Sequence, residues 1–215
     1  PRLLTDDAFR RPVIAAVQDD ATLAAFWAEF EDMRPAQRSA VIASPLNKLR
    51  KIVMRQPLVR VLGQAQPRFR LRDIFREKKT VLVPLNDALL GTGASRLLGS
   101  LVVAELWMAT LERAKEKEPM KRPGMVFIDE VQNYLHLPTP IDDVLATSRS
   151  YGVAWHLAHQ YRDQLPAGLR SALDVNARSK ICFTLLPDDA RDLAKQAAQL
   201  TAEDFPTLPK RPVYM

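Results

Sequence analysis

Read for its apolar spacing, the chain changes character near residue 55. Before that point apolar positions recur at helical intervals, as in Leu23–Phe30, where Phe26, Trp27 and Phe30 form an i, i+3, i+4 stripe. Such a stripe is the packing face of a helix far more often than a platform for nucleobases. Thr5 can cap a first helix, Thr22 leads into a second, and Pro35 precedes a third that runs through Leu49. From Gln56 to Phe69 the chain reads as extended and punctuated by proline. Compact apolar runs of strand length follow at Thr80–Leu85, Met125–Ile128, Val153–Ala158 and Lys180–Leu185. Helical stretches separate them: a short one at Leu71–Arg76, a long one from Ala94 into Ala114, then Ile141–Tyr151 and Asp188–Leu200. This alternation predicts an α/β domain over 56–215, a parallel sheet with helices on both faces, preceded by a helical subdomain over 1–55. The tail from Phe205 carries Pro206, Pro209 and Pro212 and shows no closing element.

The run Met125-Val126-Phe127-Ile128 ends on two adjacent acids, Asp129 and Glu130. A parallel strand buried on both faces is continuously apolar, and open α/β sheets bind ligands at the carboxyl ends of their strands. Adjacent carboxylates at such a tip have the form of a Walker B strand. Hydrolysis of a nucleoside triphosphate needs one carboxylate to hold the Mg²⁺ shell and a second group to orient the attacking water. The alternative is that both acids merely open the next helix, Val131–Leu135, where they favour the positive helix terminus.

Composition narrows the class. With 47% hydrophobic and 26% charged residues in 215, the chain has the make-up of an ordinary globular protein able to bury a core. No signal peptide is expected from these residues, and the longest apolar run, Leu97–Leu111, broken by Ser100 and Glu105, reads as too short to span a bilayer. No membrane contact is expected from this segment itself. One cysteine, Cys182, sits in an apolar run, which points to a core position and a reducing, cytoplasmic setting. Three histidines and that cysteine lack the spacing of a structural zinc site. Charge is segregated: between Arg34 and Lys79 there are 13 basic residues against Asp73 and Glu77, so this block carries +11 of a chain whose net charge is +6. A block of this kind suits phosphate backbones, or else an acidic partner or a solvated face. Arg68, Arg70 and Arg72 are its candidate DNA contacts.

A phosphate-binding loop needs glycines followed by Lys and Ser or Thr at a helix start, and no such tripeptide occurs. The nearest imitation, Gly91-Thr92-Gly93-Ala94-Ser95, puts Ser where Lys belongs and reads as a helix start with close packing at Gly99. The loop is therefore expected upstream of residue 1. Gln160 follows the strand Val153–Ala158, where an amide can bond both a γ-phosphate and the attacking water. Arg149 ends the helix before that strand, with Gly152 as the stop.

Taken in order, Met125–Glu130, Arg149-Ser150-Tyr151-Gly152, the strand into His159-Gln160, and Asn176–Ile181 resemble the HerA/FtsK class of DNA-pumping P-loop ATPases. The likeness is closest to the conjugative coupling proteins of type IV secretion (TraG/TraD-like) and covers roughly residues 45 to 215. It implies a RecA-like fold and an ATP-driven DNA translocase that delivers DNA, with its relaxase, to a secretion channel. It further implies that Asp129 holds Mg²⁺ through water, Glu130 polarises the attacking water, Gln160 senses the γ-phosphate of ATP, and Arg149 reaches a neighbouring subunit's nucleotide. The working assembly would be a ring, a hexamer by the resemblance, acting at the inner face of the membrane through segments outside this chain. Two other readings stay open: a HerA-like chromosomal translocase, and a non-catalytic module that recruits secretion substrates.

Overall fold

The computed structural model describes residues 2–17, 19–135 and 141–207; Pro209 and Pro212 of the tail lie outside the described residues. The chain divides into two compact units, Pro1–Gln66 and Pro67–Met215.

The first unit is helical: α1 (Arg2–Thr5), α2 (Asp7–Ala15), α3 (Ala21–Asp32), α4 (Pro35–Val53) and α5 (Gln56–Leu62). Aspartates do the capping. Asp6 accepts from the Phe9 amide at 3.0 Å, and Asp20 accepts from Thr22 and Leu23 at 2.9 and 3.1 Å, each satisfying amides that a helix start leaves unpaired. Of the aromatic stripe, Trp27 and Phe30 are buried edge to face while Phe26 stays half exposed. Arg10 is buried beside them, its guanidinium over the Phe30 ring and paired with Glu31 at 2.6 Å and with Asp7. The span from Gln56, expected to be extended, forms a helix through Leu62, because Pro57 lies in its first turn where a missing N–H breaks no helical bond.

The second unit holds α6 (Asp73–Glu77), α7 (Asp87–Leu90), α8 (Thr92–Glu112), β1 (Gly124–Ile128), α9 (Ile141–Thr147), β2 (Val153–Leu157), α10 (Ala167–Asn176) and α11 (Pro187–Ala194). The expected RecA-like parallel sheet with helices on both faces is not formed. Of the described residues 61% are helical, and the sheet among them is two-stranded, β1 beside β2 in parallel register from Gly124↔Val153 to Ile128↔Leu157. Thr80–Leu85 forms no strand, its Leu85 carbonyl accepting from Ser95 Oγ at 3.3 Å, and in Lys180–Leu185 only Cys182 makes an isolated bridge. Nor is β1 buried on both faces. Val126 and Ile128 face the core, whereas Met125 and Phe127 are 64% and 71% exposed. A continuous apolar run looks the same in both situations, since it reports what the side chains are and not what covers them.

The core is built on the inner face of these strands, with Val126, Ile128, Val131 and Val153 against Phe75, Val103, Leu165 and Leu169. Helix α8 lies over it and carries its buried hydroxyls safely, Ser100 bonding the Arg96 carbonyl and Thr110 that of Leu106, each at 2.8 Å. A methyl group at Gly99 would collide with the Tyr134 ring, and one at Gly124 with Phe75. Arg113, 2% exposed, stacks over Phe75 and donates to the Pro119 and Arg122 carbonyls at 2.5 and 2.7 Å. It thereby fixes the loop that feeds β1, and burial holds its pKa below the ordinary arginine value. Thr92–Lys115 is long and apolar enough to cross a membrane, but 56% of its most apolar stretch is buried within the fold, so it supplies no clear membrane span.

Candidate functional site

The tips of β1 and β2 bring two of the sequence-predicted residues together. Past Ile128 the chain turns sharply, with Glu130 in the left-handed region at φ 50°, ψ 48°, and continues into a 3₁₀ turn over Val131–Tyr134. The strands stay tied beyond their ends: Ala158 N–H donates to the Ile128 carbonyl at 2.9 Å and Val131 N–H to the Ala158 carbonyl at 3.0 Å. Across this gap the Gln160 amide Nε2 donates to Glu130 Oε1 at 2.6 Å. The other carboxylate oxygen, Oε2, accepts from Gln132 Nε2, also at 2.6 Å. Both oxygens of Glu130 are thus held by amide donors, which fixes the plane of the carboxylate. Asp129 is exposed, with Oδ1 accepting from the Glu130 N–H at 3.0 Å.

Behind the tip the loop 159–164 is anchored in two ways. Gln164 Oε1 accepts from the N–H groups of Gln160 and Tyr161 at 3.1 and 3.3 Å. Arg162, 7% exposed, makes a two-pronged bond to Asp174 on α10 at 2.8 and 2.7 Å, while its N–H donates to Asp189 on α11. Bidentate, charge-assisted geometry makes this a strong polar tie. Asp174→Ala should cost on the order of 3 kcal/mol, because it strands a buried guanidinium; denaturant unfolding measures it, and a loss under about 1 kcal/mol would reduce the pair to a surface contact. The Arg162 guanidinium also holds the Asp174 carboxyl below its ordinary pKa of 3.8. A carboxyl depressed in the folded state contributes stability that is present above its unfolded pKa and lost as pH falls through the folded one. Acid unfolding of Asp174→Ala should accordingly be less steep below about pH 4.

Tyr134 lies beside the pair. Burial raises its pKa, the neighbouring Ser95 hydroxyl lowers it, and the negative charges of Asp87, Asp129 and Glu130 add to the rise. It therefore stays a neutral phenol at physiological pH. Gln132, Tyr134 and Gln164 were not singled out in the sequence; the only signal was their position within a few residues of the strand ends.

The remaining predicted residues are elsewhere. Arg149 is exposed in a 3₁₀ turn, Ser148–Tyr151, leading into β2, so it sits at the opposite end of the strand from Gln160, with the five-residue strand, about 13 Å long, between them. Gly152, at φ 68°, packs against the Pro119 carbonyl and ends that turn. Arg68 and Arg70 are exposed; Arg72 is half-buried and approaches Glu112 at 3.6 Å. Among the described residues no group of three or more His, Cys, Asp or Glu forms a metal cage by itself. Asp129 presents an exposed carboxylate of the kind that a hard ion such as Mg²⁺ takes, such an ion completing its shell with water and phosphate oxygens, whereas both oxygens of Glu130 already accept from amides. The stretch Gly91–Ser95 begins α8, with Gly91 at φ 77°, and its sequence supplies no lysine for a phosphate. Compared with protein-family models, curated proteins and solved structures, the chain gives no match.

Proposed function

We propose that this chain carries the water-activating side of a DNA-translocating ATPase of the coupling type, with the phosphate-binding loop supplied from outside these 215 residues. The observation that carries this reading is the contact between Glu130 and Gln160 across the tips of two parallel strands. When bound, ATP with Mg²⁺ supplies the phosphoryl group and its counter-ion. Asp129 would hold that ion through water. Glu130 accepts the proton of a water on the solvent side of its carboxylate. Gln160 spends one amide hydrogen on Glu130 and keeps a second hydrogen and its carbonyl oxygen for water and phosphate, so it links the state of one to the position of the other. Arg149, remote from its own pair, acts on the site of an adjacent copy in a ring.

The test is a comparison of turnover. Residues 1–215 alone should show none with Mg²⁺ and ATP, since positioning and neutralising the phosphates is most of the catalysis. The protein that includes a phosphate-binding loop should hydrolyse ATP, faster with DNA. Turnover by the 215 residues, or DNA-indifferent turnover by the longer protein, would sink the reading. DNA itself should bind without sequence preference, with log Kd rising by several units per decade of salt if several phosphates are contacted. Charge reversal at Arg68, Arg70 and Arg72 should flatten that slope, and an unchanged slope would place the contact elsewhere.

A further inference from the structure

The outer edge of β1 borders a cavity of about 960 Å³. One wall is the segment carrying Val81 and Val83, the floor includes Leu106 of α8, and the other wall is the unbroken run Lys121–Asp129; no residue of β2 lines it. The cavity therefore lies along the edge of β1 that β2 does not occupy. The bonds flanking the strand pair settle which groups face it. Gly124 N–H donates to the Gly152 carbonyl, and the Ile128 carbonyl accepts from Ala158. In a parallel ladder both backbone groups of a residue point to one side and alternate along the strand. Gly124, Val126 and Ile128 hence serve β2, and the N–H and C=O groups of Met125 and Phe127 point to the opposite edge, which borders the cavity. None of these has a backbone partner among the described residues, and neither have those of Thr80–Val83 opposite.

We propose that this slot takes up an extended apolar segment of another polypeptide, added to the sheet beside β1. Unpaired backbone groups along a strand edge form a template for a further strand, and groups lining an apolar cavity are costly to leave unbonded. An extended chain offers alternating donors and acceptors at the strand repeat, which a small apolar molecule does not. It would also cover Met125, Phe127 and Leu82, which are 64%, 71% and 86% exposed, through side-by-side strand pairs. The edge from Met125 to Asp129 accommodates about five residues. Charge chooses the flanks. Lys78, Lys121 and Arg122 line the cavity near the start of β1 and Asp129 lines it at the end; Glu118 pairs with Lys121, whereas Lys78 and Arg122 have no carboxylate partner among the described residues. The segment thus carries an acidic residue at the Arg122 end and a basic one at the Asp129 end.

An end-blocked hexapeptide tests this: glutamate, then valine, threonine, valine, isoleucine, then lysine, titrated into the isotope-labelled 215-residue chain and followed by amide NMR. Saturable shifts and at least about tenfold slower exchange are expected at the Met125 and Phe127 amides, with no such effect from a peptide carrying proline at its central positions. Met125→Pro removes an outward donor without touching the β1–β2 ladder, so it should abolish binding and leave β2 signals in place. Should that variant not fold, Arg122→Glu provides an independent reading: it should make the chain prefer a peptide with glutamate and lysine exchanged. Equal effects from the proline peptide, or no charge preference in either form, would overturn the proposal. So would protection of the same amides by self-association without peptide, or filling of the cavity by an anilinonaphthalene dye that the peptide fails to displace.

Discussion

Replacing Glu130 by glutamine in the ATP-hydrolysing protein should lower turnover by about 100-fold or more while leaving nucleotide binding near its original strength, as expected when the group that orients or deprotonates the nucleophile is lost. The geometry sharpens the expectation. The carboxylate accepts one amide hydrogen on each oxygen, from Gln160 and from Gln132, whereas a glutamine side chain can accept on one oxygen only. The substitution removes the proton acceptor and also forces one of the two amides to turn away. Gln132→Ala, which leaves the acid in place but frees Oε2, should therefore lower turnover by a smaller factor in the same assay. Equal turnover in Glu130→Gln would demote the residue to the start of the turn that follows β1.

The second large effect concerns Arg149. Lying at the far end of β2 from Gln160 and exposed, it cannot serve the pair on its own chain, yet an arginine donated from a neighbouring copy stabilises charge on the transferred phosphoryl by on the order of 10³-fold or more in rate. Arg149→Ala should leave folding and ATP affinity almost intact and abolish the turnover that assembly stimulates. Mixed rings decide the matter. When Arg149→Ala and Glu130→Gln subunits are combined, a site with its own Glu130 and a neighbour's Arg149 should regain partial activity. No recovery in well-formed mixed rings, or full activity of Arg149→Ala alone, leaves Arg149 as a cation at the end of a helical segment.

The elements legible in the sequence are those whose pattern is long or bounded. Helix α8 declares itself by its length of apolar residues between Gly91 and the charged run at Glu112, and β1 and β2 by short apolar runs closed by polar residues. Thr80–Leu85 is an apolar run of the same length class as β1, with Pro84 in it, and is not a strand. Being a strand requires a hydrogen-bonded neighbour, and nothing local records whether one is present. The same blindness made β1 read as covered on both faces. Gln160 could be found because it ends a strand; its contact with Glu130 follows from the parallel pairing of the two runs. The Arg162–Asp174 bond could not be found, since it joins a 3₁₀ turn to the later part of α10, and charged residues at such separations have many equally plausible partners. The absent lysine after Gly91–Gly93 was readable at once, because a motif that depends on a fixed residue can be missing visibly.

Glu130 adopts a left-handed backbone, a conformation that costs an L-residue about 1–2 kcal/mol and glycine little. Evolvability is where this matters. A library varied at this position in the ATP-hydrolysing protein and sorted for heat resistance alone should accumulate Glu130→Gly and Glu130→Asn, since both relax the turn, and sorting for turnover should purge the same two variants. Position 130 would then show opposite enrichment under the two regimes, whereas an acid that merely began a turn would drift toward glycine or asparagine under both.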